Sequence, residues 1–280
     1  MALTDSAPTD SAPTDTAPGT LAARGGGARS VFDYWLLGYR RTFRGSVFSS
    51  FLSPVMYLAA MGFGLGSLVD RGEAAGLGGV PYVAFIAPGV LAASAMQTAA
   101  GECTFPIMGA IKWHRYFEAM LATQLRVRDL VLGHLAYVAV RLLIVTGVFL
   151  LVAAALGTTL AWTAPLALPA AVLTGLAFAA PITAFSAYQD NDGAFNVLFR
   201  FVIMPMFLFS GTFFPVDQMS SVLRVVAWAT PLWHGVELCR GFTLGTATLG
   251  GVALHVTYLL VLLAVGVWLS ERALTRRLVT

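Results

Sequence analysis

Residues 130–188, LVLGHLAYVAVRLLIVTGVFLLVAAALGTTLAWTAPLALPAAVLTGLAFAAPITAFSAY, carry one full charge, Arg141. About 20 apolar residues cross the roughly 30 Å hydrocarbon layer of a bilayer, so this run is too long for a single crossing. Gly157-Thr158-Thr159 and Trp162-Thr163-Ala164-Pro165 punctuate it and predict a turn. The stretch therefore reads as two membrane helices, over about 130–156 and 166–188. Composition points the same way. Of 280 residues, 58% are hydrophobic and 11% charged, against about 25% charged in ordinary soluble domains. Mean hydropathy is +0.77. A soluble fold of this length could not cover so much apolar surface. With 28 glycines and 2 cysteines, collagen-like and disulfide-scaffold classes are also excluded.

Four further spans follow on either side, over about 46–66, 80–101, 194–214 and 249–270. Short polar segments separate them, among them Asp70-Arg71-Gly72-Glu73 and Gln189-Asp190-Asn191-Asp192-Gly193. Six spans put both ends of the chain on one side. Thirteen basic residues lie on that side: Arg24, Arg29, Arg40, Arg41, Arg44, Lys112, Arg115, Arg126, Arg128, Arg200, Arg272, Arg276 and Arg277. The opposite side holds only Arg71, Arg224 and Arg240. The positive-inside rule then makes both termini cytoplasmic in a multi-pass protein of the inner or plasma membrane. Cys103 and Cys239 fall near opposite faces on this topology, too far apart for a disulfide, and read as small core residues.

The first 30 residues differ from the rest. Thr4-Asp5-Ser6-Ala7-Pro8 recurs as Thr9–Pro13 and, with one change, as Thr14–Pro18. Such repeats have no large apolar groups to offset ordering entropy, so 1–30 reads as a disordered tail. Residues 31–44, VFDYWLLGYRRTFR, place Phe32, Leu36, Tyr39 and Phe43 on one helical face and Asp33, Arg40, Arg41 and Arg44 on another. This predicts an amphipathic helix lying in the membrane interface. It is either a simple anchor or a lever to a moving partner, with Trp35, Arg40, Arg41 and Arg44 as its candidate residues.

Other constellations carry less. Lys112 is the only lysine and follows Ile111, so no GxxxxGK(S/T) phosphate loop exists in this chain. Any ATP and Mg would bind a separate polypeptide, and no cofactor is expected on this one. Residues 105–129 hold Lys112, Arg115, Tyr116, Phe117, Glu118 and Arg126 on a helix of mixed polarity. It is either a solvated connector or a segment that docks in a soluble partner. His114 and Glu118 alone are too few for a metal site. His134 and Arg141 are seven apart and share a face of their span, and Glu102 is the candidate partner of Arg141. Residues 210–245 are too interrupted to cross and too apolar for a free loop. Gly211 and Pro215 should end the fifth helix, and a re-entrant or surface hairpin bearing Pro231, His234 and Glu237 should follow. No nucleophile accompanies His234, Glu237 and Arg240, so no catalytic residue is assigned.

Several blocks in order resemble the type 2 permeases of ABC exporters, most closely the nodulation-factor (lipo-chitooligosaccharide) and daunorubicin-resistance branch. They are SPVMYLAAMGFGLG (53–66), YVAFIAPGVLAASAM (82–96), YFEAMLATQLRVRDLVLG (116–133), LTGLAFA (173–179), MPMFLFSGTFFPVDQM (204–219) and PLWHGVELCRG (231–241). The resemblance covers 31–278. It implies an all-α polytopic domain over 31–280 with six transmembrane helices and an N-terminal interfacial "connecting" helix. It also implies a "coupling" helix near 112–129 and external re-entrant helices at 215–245. A homodimer, or a pair with a related permease, would work with two ABC ATPase subunits and open along a seam between the first, second and fifth spans. The implied activity is export of an amphipathic substrate: a lipid, a lipo-oligosaccharide or a hydrophobic drug. The alternatives are an ion- or proton-coupled carrier with no ATPase and a membrane-bound transferase using His234 and Glu237. No mid-span carboxylate supports the carrier.

Overall fold

The computed structural model describes residues 26–60, 64 and 79–279, apart from the side chains of 42–55. The tail over 1–25, the outer end of the first expected span and the loop with Asp70, Arg71 and Glu73 lie outside the described residues. The fold is all-helical, with no strand among the described residues. The helices are α1 (Gly27–Ala59), α2 (Tyr82–Cys103), α3 (Tyr116–Leu121), α4 (Val127–Ala155), α5 (Ala167–Ala187), α6 (Gly193–Phe209), α7 (Ser221–Ala229), α8 (Pro231–Leu244) and α9 (Leu249–Leu278). A one-turn helix, Phe105–Met108, and a π-helical turn, Gly109–Trp113, extend α2 towards α3.

Four helices among the described residues are long and apolar enough to cross a membrane: Tyr82–Trp113, Val127–Ala155, Ala164–Ala187 and Leu249–Leu278. The chain is thus a multi-pass membrane protein. The expected span over 194–214 is instead a shorter apolar helix, α6, whose centre at Phe199–Ile203 is π-helical. It ends at Phe209, and Gly211 follows with φ +81°, a conformation that penalises any side chain.

The expected interfacial helix over 31–44 and a separate first span are replaced by one continuous helix, α1. It runs alongside α4 and in the same direction. A Cβ on Gly133 would meet the Ala28 carbonyl oxygen at 2.5 Å and Val31 Cβ at 2.6 Å. The bare Cα of Gly133 therefore admits the α1 backbone. Val31 and Tyr39 are buried against the bundle, while Asp33, Arg40 and Arg41 remain exposed. The amphipathic pattern is real, but its apolar face packs on protein rather than lying flat on lipid.

α2 is the central helix. It packs on α5 and α8 and is mostly buried, except for one open stripe in the half towards Cys103, at Ser94, Gln97, Thr98 and Gly101. α9 lies along α5 at the periphery, with Leu254, Val261 and Trp268 turned outward. Several buried hydroxyls donate to helix carbonyls, their own or a neighbour's, as an apolar solvent favours. Thr146 Oγ1 donates to Leu142 O at 2.6 Å, Thr174 Oγ1 to Ala170 O at 2.8 Å and Ser270 Oγ to Ala180 O at 2.7 Å. α3 stands at one end of the bundle, the base, and the α7–α8 hairpin at the other.

Candidate functional site

The base is built around α3. The π-helical turn at Gly109–Trp113 leads into Arg115, the one non-glycine residue with positive φ among those described (φ +51°). π turns are rare and concentrate at functional sites. This corner re-aims the chain so that α3 leaves the axis of α2. Phe117 is fully buried. It therefore anchors α3 instead of offering the partner contact that the family resemblance implies. Tyr116 packs between Tyr34 (5.2 Å between ring centroids), Trp35 (6.0 Å) and a stacked His114 (5.9 Å). Burial there, aided by Tyr34, pushes the Tyr116 hydroxyl up to about 12. Arg115 and Glu118 face outward and pair at 2.6 Å. Arg126 is exposed at the head of α4, where its backbone N–H donates to Asp129 Oδ2 at 3.0 Å. Lys112 does not lie on α3. It lies in the π-helical turn that extends α2 and donates to the backbone carbonyl of Asp190.

Behind α3 the described structure brings Glu102, His134 and Arg141 together. Arg141 Nε donates to Glu102 Oε1 at 2.8 Å, and Tyr137 Oη to Glu102 Oε2 at 3.2 Å. The Arg141 guanidinium also lies 4.3 Å from the Tyr39 ring centroid. This joins α1, α2 and α4 at one point. Trp35 completes it, 4.7 Å from the His134 ring and stacked on Tyr137 at 5.6 Å. His134 is buried and contacts Cys103 Sγ through Nε2 at 3.7 Å. Trp35 thus touches Tyr116 on one side and, on the other, Tyr137, which donates to Glu102 of the Glu102–Arg141 joint. Of the remaining α1 candidates, Arg40 and Arg41 are exposed, and the Arg44 side chain lies outside the described residues.

At the far end, Pro231 occupies the first turn of α8, whose N-terminus is capped by Thr230 accepting from Trp233 N at 3.4 Å. α8 inserts between α2, α5 and α9. Arg240 pairs with Glu237 at 3.0 Å and donates to the Gly211 carbonyl at 2.7 Å, with its guanidinium 4.0 Å from the Phe85 ring centroid. Pro215 opens the turn Val216–Gln218 that carries the chain from α6 to α7. His234 Nδ1 lies 2.7 Å from His255 Nδ1, and the His234 ring stacks on Tyr258. Burial and the neighbouring His255 lower His234 to about 4. A cavity of about 130 Å³ opens beside Glu237 and His255, lined also by Thr246, Thr248 and Gly251. Among the described residues no group of three or more His, Cys, Asp or Glu could hold a metal.

Sequence reasoning passes over Tyr34 and Tyr137. Tyr137 lies three residues after His134 and four before Arg141, so helical spacing places it on their face. Asp190, Glu271 and Arg277 also enter the base, but only tertiary structure brings them there.

The ABC-2 type transporter family model matches residues 30–244. Nodulation protein J of Rhizobium leguminosarum bv. trifolii is 36% identical over 262 residues, 92% of this chain and 98% of that protein. Nodulation protein J of Sinorhizobium fredii is 35% identical over 88% of this chain and 94% of its own length. That of Rhizobium meliloti is 34% identical over 92% and 96% respectively.

Proposed function

The chain belongs to the ABC-2 type transporter family, and from that premise we propose that it is the permease subunit of an ATP-driven exporter. As a family member it is a membrane transport component rather than an enzyme. The finer reading is that it moves an amphipathic substrate out of the cytoplasm or the inner leaflet. The substrate class is a lipid, a lipo-oligosaccharide or a hydrophobic drug. Two ABC ATPase subunits bind ATP and Mg, dock on the base, and work a dimer of this chain or of it with a related permease. Base and termini are then cytoplasmic, and the protein resides in the inner or plasma membrane.

The observation that carries this reading is the contact of Trp35 with both Tyr116 and Tyr137, whose hydroxyl donates to Glu102 of the Glu102–Arg141 joint. A push on α3 reaches α1 through Tyr34 and Trp35. From there it reaches a charged pair that spans α2 and α4. Packed side chains transmit such displacement because they rearrange between discrete states rather than deform smoothly. ATP must favour one state through contacts it makes only there. Arg115, Glu118 and Arg126 form the ATPase-facing surface, and Phe117 holds it in place. The seam runs along α1, the open stripe of α2 and the outward apolar groups of α6, such as Phe201. The α7–α8 hairpin closes the exit.

The test is ATP-dependent uptake of a fluorescent phospholipid by inverted membrane vesicles containing the complex. Uptake that requires ATP and a co-purifying ATPase supports the reading. Uptake driven by a proton gradient with no ATPase present replaces it with a secondary carrier.

A further inference from the structure

The base holds charged groups that the coupling path through Trp35 does not use. α9 has 30 residues, about 45 Å at 1.5 Å per residue, against a hydrocarbon layer of roughly 30 Å. Residues 249–270 hold no Asp, Glu, Lys or Arg, whereas Glu271, Arg272, Arg276 and Arg277 crowd the last turns. The end of α9 therefore projects from the lipid at the base.

Two ties meet it there. Glu271 Oε1 lies 3.7 Å from Arg128 Nε, at the head of α4. Arg277 pairs with the Asp190 carboxylate in the turn between α5 and α6, and Lys112 donates to the carbonyl of that same Asp190. Lys112 stands four residues before α3 begins, and Arg128 seven after it ends. The end of α9 thus holds the chain on both sides of α3, once directly and once through Asp190. Arg277 keeps the Asp190 carboxyl below its ordinary range, so it stays charged at neutral pH.

We propose that the projecting end of α9 is a clasp that positions α3 from behind, so that movement imposed on α3 by the ATPase is shared with the last helix. This rests on the exporter reading. Arg277, Asp190 and Glu271 are positioning residues in it. The pairs are partly or largely exposed, and exposed pairs add little to folding stability. Ties of this kind can break and re-form within a working cycle.

The experiment uses the full chain in complex with its co-purified ATPase, in phosphatidylethanolamine–phosphatidylglycerol liposomes. It reads kcat and KM for ATP hydrolysis together with the melting temperature. Arg277→Asp should lower kcat about fivefold, the lower end of typical coupling between sites, at unchanged KM and melting temperature. Arg277→Lys, and the reciprocal swap D190R/R277D, should restore kcat to within about twofold of the parent, a residual effect below the usual range of such coupling. If R277D does not assemble, Arg277→Gln repeats the test without a new like-charge pair. Parental kcat in R277D or R277Q, or a swap as impaired as the single change, overturns the clasp alone. A parent complex that carries no ATPase overturns the clasp and the exporter reading together.

Discussion

Among the arginine–carboxylate pairs of the described residues, one at each end has nearly the same geometry. Arg141 meets Glu102 at 2.8 Å and lies over Tyr39; Arg240 meets Glu237 at 3.0 Å and lies over Phe85. Their connectivity differs. Glu237 and Arg240 are neighbours on one helix, so their pair survives any rigid movement of α8. Glu102 and Arg141 sit on different helices and take an aromatic ring from a third. The far-end pair staples a hairpin to the Gly211 turn. The base pair registers the relative position of α1, α2 and α4, as a joint in a moving machine must.

The largest expected effect follows from breaking the joint. Removing one member of a low-dielectric ion pair costs about 3–5 kcal/mol. Glu102→Ala should therefore lower the thermal stability of the detergent-solubilised protein by that order. Nearly parental stability would show that the Arg141 charge is compensated elsewhere, and the contrast between the pairs would fail. Next, Gly133→Val should push α1, at Ala28 and Val31, away from α4. Overpacking of this kind costs about 1–3 kcal/mol. A cysteine cross-link between α1 and α4, efficient in the parent, should weaken in this variant. The far end should be more tolerant. Glu237→Gln keeps an acceptor for Arg240, which also retains Gly211 O, but takes the counter-charge from a buried guanidinium, so a loss of about 1.5–3 kcal/mol is expected. A loss equal to that of Glu102→Ala would erase the distinction between staple and joint.

The last expected effect is one of pH. His234 is lowered to about 4 in the folded protein, against about 6.5 when unfolded. Between those values the unfolded chain binds the extra proton, so stability rises with pH and is lost on acidification. Melting temperature should fall from pH 6.5 to 4.5, and His234→Gln should reduce that slope. An unchanged slope would mean that His234 is not the group responsible.

Much of this architecture is legible in the sequence alone. The turn at 157–165 follows from a run too long to cross once. The seven-residue spacing of His134 and Arg141 puts them on one face, and Glu102, at the end of the preceding span, is the nearest carboxylate able to reach it. The break at Gly211 follows from backbone freedom. The rest depends on packing in three dimensions. The 31–44 pattern correctly marks a helical face, but an apolar face does not say whether lipid or protein covers it. Gly133, the residue that admits α1, looks like any other small residue in an apolar helix. Phe117 reads as equally fit to dock outward or inward. Lys112 and Arg277 meet Asp190 across 78 and 87 residues of chain, a separation that local patterns do not register.

The central claim is that energy enters through α3 from a separate ATPase. The most direct measurement is retention of that ATPase, with its ATP hydrolysis, by the purified complex carrying Arg115→Ala and Glu118→Ala together. The account predicts a correctly folded membrane subunit that loses the ATPase or its stimulated turnover. Parental retention and turnover in a well-folded double variant would contradict it.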